Sequence, residues 1–484
     1  MRNFNIRNNR WQQLAVLIIL ALGLACVRQQ VENLPLATFD GGQVTTQEYV
    51  THYLASTVYK PKKMPDEANL RKTVFNEGIA KIAVLEAKAE NTQSDSLFKR
   101  GFQTREALTL FQDYVQREMV NRVVTDSLIH KFYNEFTPQY HLFYIFRAVP
   151  KDASKRFARA QKDTIEWLYR KLQRGEKFGA LAKKYSQDVT TAKKNGDAGY
   201  VIAESLGDPF VRKTFRSLSE NSYSKPFKGV GGFYILFKGK KRNVPRPKFE
   251  AVRAKIWQTL YHTRQHAIQE KIDARFKQLA PMYHYRVLQD RVQWVIQKIG
   301  KKERQGRQRY IALNPAKFAE EDLRKPVALY DGGEITIGDI FSDRTKSPQD
   351  MWEFRNRLYE IAQERLFALD AKKKGYEKLP DVQKRLEKIR KGLLRQAMYE
   401  KYVLSKVAAG LDSIRAAQGK KLSRSALHDL IVQKRAELEN LYRGQFEDKM
   451  IKKYHFQFVK KNFKKALQFA RKKKLEAVAQ SKKT

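Results

Sequence analysis

Two stretches of this chain spell nearly the same structure. Pro35-Leu36-Ala37-Thr38-Phe39-Asp40-Gly41-Gly42-Gln43-Val44-Thr45 and Pro326-Val327-Ala328-Leu329-Tyr330-Asp331-Gly332-Gly333-Glu334-Ile335-Thr336 each read as strand, tight turn, strand. Asp-Gly-Gly supplies the positive-φ residues that such a turn needs. Thr45 or Thr46 is placed to cap a helix that follows. The correspondence continues downstream, where Leu85-Glu86-Ala87-Lys88 matches Leu369-Asp370-Ala371-Lys372. Tyr283-His284-Tyr285-Arg286-Val287 alternates like a strand, and Tyr454-His455-Phe456-Gln457-Phe458-Val459 echoes it. A repeated sequence folds the same unit twice, so two similar lobes are expected.

Helical periodicity dominates the rest. Apolar residues recur at three- and four-residue spacing near 48–59, 67–90, 105–124 and 126–136. A long helix is predicted over 250–279, and others over 351–374, 381–408 and 424–454. Between 140 and 240 the pattern changes. A short apolar strand, His141 to Phe146, is followed by a helical segment near 155–174 and then by Gly175-Glu176-Lys177-Phe178. Leu181-Ala182-Lys183-Lys184-Tyr185-Ser186-Gln187-Asp188 and a polar loop ending Asn195-Gly196-Asp197-Ala198-Gly199-Tyr200 come next. Asp208-Pro209-Phe210 opens a helix with proline at its favoured first position. Gly229-Val230-Gly231-Gly232 then leads into the β-rich run Phe233-Tyr234-Ile235-Leu236-Phe237.

This order of blocks resembles the parvulin-type (PpiC-like) peptidyl-prolyl isomerase domain over about 100 residues. The family pattern is a His on the first strand, G-x-x-F-x-x-L-A-x-x-x-S-x-D, a loop ending G-D-x-G, a P-F helix and a closing G-x-H-I-I strand. The resemblance assigns His141 to the first His and Asp188 to the end of the second block. Tyr234 stands where the family has its second His. It implies a catalytic set of His141, Asp188 and Tyr234, and a proline pocket of Leu206, Phe210 and Phe233. The flanking segments, including Val124-Thr125-Asp126-Ser127-Leu128 and Phe132-Tyr133-Asn134-Glu135, resemble SurA-like and PrsA-like envelope chaperones. The fold class implied is α+β: mostly helical chaperone lobes with an inserted parvulin-like domain, a small antiparallel sheet surrounded by helices. The expected domains are a lipoprotein signal peptide at 1–25, a helical lobe at 26–137 completed by 249–290, the isomerase domain at 138–243, a return helix and linker at 244–325, a second lobe at 326–460, and a basic tail at 461–484.

Residues 1–13 carry Arg2, Arg7 and Arg10 and no acid, and Leu14 to Ala25 is an apolar run ending at the chain's single cysteine, Cys26. That is the layout of a secretory signal, with a core too short to span a bilayer comfortably. A Cys directly after Leu-Ala resembles a bacterial lipobox, although Gly23 departs from the usual Leu. The expectation is lipidation at Cys26, a periplasm-facing envelope location at the outer rather than the inner membrane, and membrane attachment through the lipid.

The chain's 484 residues suffice for about three domains. Hydrophobic content of 42% excludes global disorder. Lys and Arg number 96 against 51 Asp and Glu, a formal charge of +45, which attracts polyanions, anionic membranes or acidic clients. His262 and His266 are spaced as a helical metal pair, but no third ligand lies nearby in sequence. No phosphate loop or dinucleotide fingerprint is present, so no cofactor or metal and no specific nucleic acid are expected. The function implied is an envelope folding factor that isomerises X-Pro bonds and holds unfolded or nascent exported proteins, outer-membrane proteins among them. A second reading is a non-enzymatic holdase with a degenerate parvulin domain. A third is a polyanion-binding structural envelope protein.

Overall fold

The computed structural model describes residues 31–481 except 58–59, 151–152, 306–307, 342–346 and 420. The signal segment and Cys26 lie outside the described residues. The strands in chain order are β1 (Pro35–Phe39), β2 (Gly42–Thr45), β3 (Gln139–Ala148), β4 (Asp197–Val201), β5 (Ser222–Tyr223), β6 (Phe227–Lys228), β7 (Gly232–Arg242), β8 (Arg286–Val287), β9 (Gly300–Gln305), β10 (Gln308–Leu313), β11 (Pro326–Tyr330), β12 (Gly333–Thr336) and β13 (Gln457–Phe458). Helices account for most of the remainder, and the fold is α+β.

The chain divides into two compact units. One takes residues up to Glu106 together with those from Gln383 onward. The other is the continuous stretch Ala107–Val382. In the first unit β1 lies between β2 and β13, with Ala37 opposite Phe458 and Thr38 opposite Gln457. The turn between β1 and β2 uses Gly41 at φ +85°, a conformation that a side chain would strain. The helices Thr46–Thr57, Glu67–Ala89, Arg424–Lys453 and Phe463–Ser481 belong to this unit. They close over a core that includes Leu36, Val44, Tyr49, Leu70, Met450 and Ala466.

In the second unit β11 lies between β12 and β8, with Ala328 opposite Val287 and Leu329 opposite Arg286. This pairing corrects the expectation that 283–290 would complete the first hairpin and that 326–460 would close on itself. Each hairpin takes its third strand from the other repeat's sequence. Two physical reasons favour this. Val287 and Pro326 are close in sequence, so joining β8 to β11 closes a short loop at small entropic cost. The later strand segment, in turn, fits the first hairpin's helix through Phe456. Its ring occupies the space that any Cβ at Gly78 would need, lies stacked 6.5 Å from Phe39 and meets Phe75 edge-on at 5.9 Å.

Other expectations change as well. The predicted helix over 250–279 is two helices, Phe249–Thr263 and Gln265–Met282, divided at Arg264. The stretch expected as linker holds the helix Gln289–Ile299 and the β9–β10 ribbon. The basic tail is a packed helix. Phe463, Ala466 and Ala470 are buried, and Lys474 is only 2% exposed, its Nζ donating to the Thr57 carbonyl at 2.5 Å.

The isomerase-like module sits inside the second unit as a five-stranded antiparallel sheet, in the order β4-β3-β7-β5 with β6 also on β7. The helices Lys155–Gln173 and Phe178–Tyr185 cover one face through Ile145, Ile165, Leu168, Leu181 and Ile235. The other face packs Leu142, Leu236, Val211 and Phe215, the last two from the helix Pro209–Ser217. A third cluster, including Ile129, Phe132, Ile202 and Leu260, joins the module to its flanking helices. At that joint Glu204 is buried, and it accepts from Arg264 and Arg216, each at 2.7 Å. Burial opposes its ionisation, but hydrogen bonds from Arg216 and Lys131 outweigh it and hold Glu204 below the usual carboxylate range.

Candidate active site

Successive residues of a strand face opposite sides of its sheet. On β3 this separates Leu142 and Tyr144, which join the cluster under the Pro209–Ser217 helix, from Ile145, which packs beneath Lys155–Gln173. On β7, Tyr234 and Leu236 share the side of Tyr144. The register sets Phe146 opposite Tyr234 and Tyr144 opposite Leu236. Tyr144 and Tyr234 meet with ring centroids 6.2 Å apart. Phe146 lies 4.6 Å and Phe227 5.8 Å from the Tyr234 ring, so Tyr234 stands in an aromatic wall.

Asp188 reaches this face from the end of the block that precedes it. One carboxylate oxygen accepts the backbone N–H groups of Thr190 and Thr191 at 3.0 and 3.1 Å, which caps the short helix Val189–Ala192. The other accepts the Tyr144 hydroxyl. Burial opposes ionisation of Asp188, yet these hydrogen bonds prevail, so its pKa is lowered and it is a carboxylate near neutrality. Burial, and then the bond to Asp188, push the Tyr144 hydroxyl up to about 12. Tyr234 is also raised, chiefly by burial and then by the charge of Asp208. Both phenols are therefore neutral hydrogen-bonding groups at neutral pH.

Asp208 ties two loops together beside Tyr234. One oxygen caps the amides of Phe210 and Val211 at 2.8 and 3.3 Å. The other accepts from Val230 in the glycine-rich turn at 2.7 Å. Leu206 lies in the same apolar cluster as Tyr144 and Tyr234. Phe210 stands at the helix start, 54% exposed, one residue from the Pro209 that opens the helix.

Of the residues expected from sequence, Asp188, Tyr234 and Leu206 come together on this face, with Phe210 at the loop that Asp208 pins. His141 does not join them. Its Nε2 lies 2.7 Å from Asp197 Oδ1, and its ring stacks on Tyr200 at 4.6 Å and against Phe143 at 4.4 Å. Phe143 in turn meets Phe237, which contacts Phe178 of the helical layer. His141 is thus on the opposite face, where it closes the Asp197–Gly199 turn, whose Gly199 N–H also binds Asp197 at 2.6 Å. Phe233 too packs into the helical layer and not into the pocket. The residue missed from sequence is Tyr144. Strand parity was the signal available, since 142, 144 and 146 share a face that 141 does not. Among the described residues, no group of three His, Cys, Asp or Glu converges as a metal site.

Residues 141–238 match the Rotamase family, described as the PPIC-type PPIASE domain. Foldase protein PrsA of Caldanaerobacter subterraneus is 28% identical over 52% of this chain and 78% of that protein. Chaperone SurA of Pseudomonas aeruginosa is 38% identical over 14% of this chain and only 16% of its own length. The solved PrsA isomerase of Bacillus anthracis aligns over 47% of this chain and 94% of that one, at 18% identity and a TM-score of 0.26. The chain therefore carries a PpiC-type peptidyl-prolyl isomerase domain, and it is homologous to the PrsA foldases and SurA chaperones.

Proposed function

We propose that this protein is a folding factor of the cell envelope that isomerises X-Pro bonds and holds unfolded exported chains. The single observation that carries the enzymatic half is the face shared by Leu206, Tyr234, Tyr144 and Asp188. Prolyl isomerisation has no covalent intermediate and needs no cofactor. Amide resonance sets a barrier of about 18–20 kcal/mol. Resonance places partial negative charge on the carbonyl oxygen, and that charge is withdrawn as the bond twists. A fixed carboxylate beside the oxygen disfavours the planar amide, while an apolar pocket holds the ring. Asp188 supplies the charge, Leu206 and Phe210 the apolar grip, and Tyr234 a neutral hydrogen-bonding wall. Exchange NMR on a proline tetrapeptide tests this. Catalysed cis/trans exchange is expected, and its absence refutes the enzymatic half.

The holdase half rests on homology to a chaperone and on exposed apolar surface in the first unit. There Leu97 is 73% exposed beside a cavity of about 790 Å³ lined also by Phe98, Leu393 and Met398. Suppressed aggregation of an unfolded outer-membrane protein is the expected result, and undiminished aggregation counts against it. A non-enzymatic holdase is favoured as a second reading by one observation, that His141 is engaged by Asp197 and Tyr200 and does not stand with Asp188 and Tyr234. Exchange NMR separates the two. Attachment through a lipid on Cys26 is tested by metabolic labelling with a fatty acid, which should fail in Cys26→Ser. Salt-sensitive binding to heparin is the mark of the polyanion-binding alternative.

A further inference from the structure

We infer that Tyr144 is a positioning residue of the isomerase site: its hydroxyl, donated to Asp188 Oδ2, fixes the orientation of that carboxylate on the face it shares with Leu206 and Tyr234. The inference rests on the isomerase reading above and goes further by naming the group that makes Asp188 usable.

Three observations carry it. The Tyr144 hydroxyl has a single described partner among the carboxylates, Asp188, and the opposite oxygen of Asp188 accepts two backbone amides. The amides hold one oxygen, and the phenol is the donor that engages the other. The Tyr144 ring is itself locked, packed against Tyr234 and within the cluster that holds Leu206, so the hydroxyl arrives at Asp188 preorganised. Finally, the groups facing the carboxylate are Tyr144, the Thr190 and Thr191 amides and the Thr191 hydroxyl, with Tyr234 and Asp208 behind them. None of these is an imidazole, an amine or a thiol. His141, the imidazole nearest along β3, is committed to Asp197 on the opposite face.

The site is therefore predicted to work without a group that changes charge near neutrality. A site run by an unperturbed imidazole would show a break near pH 6.5. Here kcat/KM should be flat from about pH 5 to pH 9, given ordinary carboxylate and phenol titration.

The test compares the full chain with Tyr144→Phe, Asp188→Asn and the double variant, by exchange NMR from pH 4 to pH 9 and by thermal melting. Tyr144→Phe keeps the ring and removes one oxygen, so melting should change little. Its kcat/KM should fall roughly tenfold, as expected for one hydrogen bond to a charged group. An acid limb should also appear, because Asp188 is left to burial and becomes easier to protonate. The double variant should be no slower than Asp188→Asn, since both act through one bond. Full activity in Tyr144→Phe overturns the assignment, and so does a loss with no acid limb, which marks a packing role. A wild-type break near pH 6.5 that vanishes in His141→Asn overturns it as well. No exchange from the wild type refutes the isomerase reading and this inference with it, whereas wild-type exchange undiminished in Tyr144→Phe refutes only the inference.

Discussion

The two hairpin repeats share a backbone and differ in what is buried behind it. In each, the turn aspartate donates its N–H to a tyrosine carbonyl at 2.8 Å, Asp40 to Tyr454 and Asp331 to Tyr283. In each, the next residue is a histidine in the left-handed region, His455 at φ 49° and His284 at φ 48°, whose Nδ1 lies 2.7 Å from the same aspartate. Asp66 and Asp350 cap corresponding helices. Behind the clasp the copies part. Glu86 accepts from Lys453 at 2.5 Å and from the Tyr454 hydroxyl at 2.9 Å. Its counterpart Asp370, one methylene shorter, accepts instead from Tyr114 at 2.5 Å and Arg275 at 2.8 Å. The Tyr283 hydroxyl, equivalent to that of Tyr454, is buried with no hydrogen-bond partner. The exposed clasp is thus generic, and the buried carboxylate with its donors tells the two copies apart.

Replacing Asp370 should break this comparison most severely. Asp370→Ala leaves Arg275 and Tyr114 facing an empty acceptor, and the second unit should lose about 3 kcal/mol by denaturant unfolding. Its pH dependence has a definite sign. Burial opposes ionisation, but Tyr114 and Arg275 outweigh it, so the folded-state pKa is depressed. The contribution is present above the unfolded value near 3.8 and is lost as pH falls through the folded value. Acid unfolding of this unit below about pH 4 should therefore be blunted in the variant.

Gly78→Ala should come next, at about 2 kcal/mol, because the new Cβ meets the Phe456 ring. Only the first unit should suffer, since the position equivalent to Gly78 in the second repeat is already Ala362. Smaller effects of opposite sign should sharpen the contrast. Tyr283→Phe removes an orphaned hydroxyl and should stabilise the second unit by about 1 kcal/mol, while Tyr454→Phe should destabilise the first by a similar amount. The exposed clasps should matter least. His455→Ala and His284→Ala should each cost about 0.5 kcal/mol at low salt and less at high salt, as measured by parallel melts.

Much of this architecture was legible in the chain. The hairpins announced themselves through Asp-Gly-Gly, and the isomerase module through ordered blocks from Gly175 to Tyr234. What stayed hidden depends on long-range choice. Nothing local in Tyr283–Val287 says which hairpin it will join, because both β1 and β11 present the same strand edge. The choice depends on Gly78 and Phe456, which lie far apart in sequence. Likewise, matching a histidine by type placed His141 in the site, whereas the face of a residue follows from its place in the strand, and Tyr140, Leu142 and Tyr144 share the face that His141 does not. The Lys-rich end read only as a basic tail, because the density of charge hid four buried positions, Phe463, Ala466, Ala470 and Lys474.

The crossed pairing also imposes a timetable. The isomerase-bearing unit is one continuous stretch, complete once residue 382 has emerged from the ribosome. The other unit opens the chain yet holds Leu36, Tyr49 and Leu70 against Met450, Phe463 and Ala470. Its leading segment must wait, apolar surface uncovered, until almost the last residues arrive. A helper of newly exported chains would thus spend its own birth as a client, with its isomerase finished before the segment that came out first.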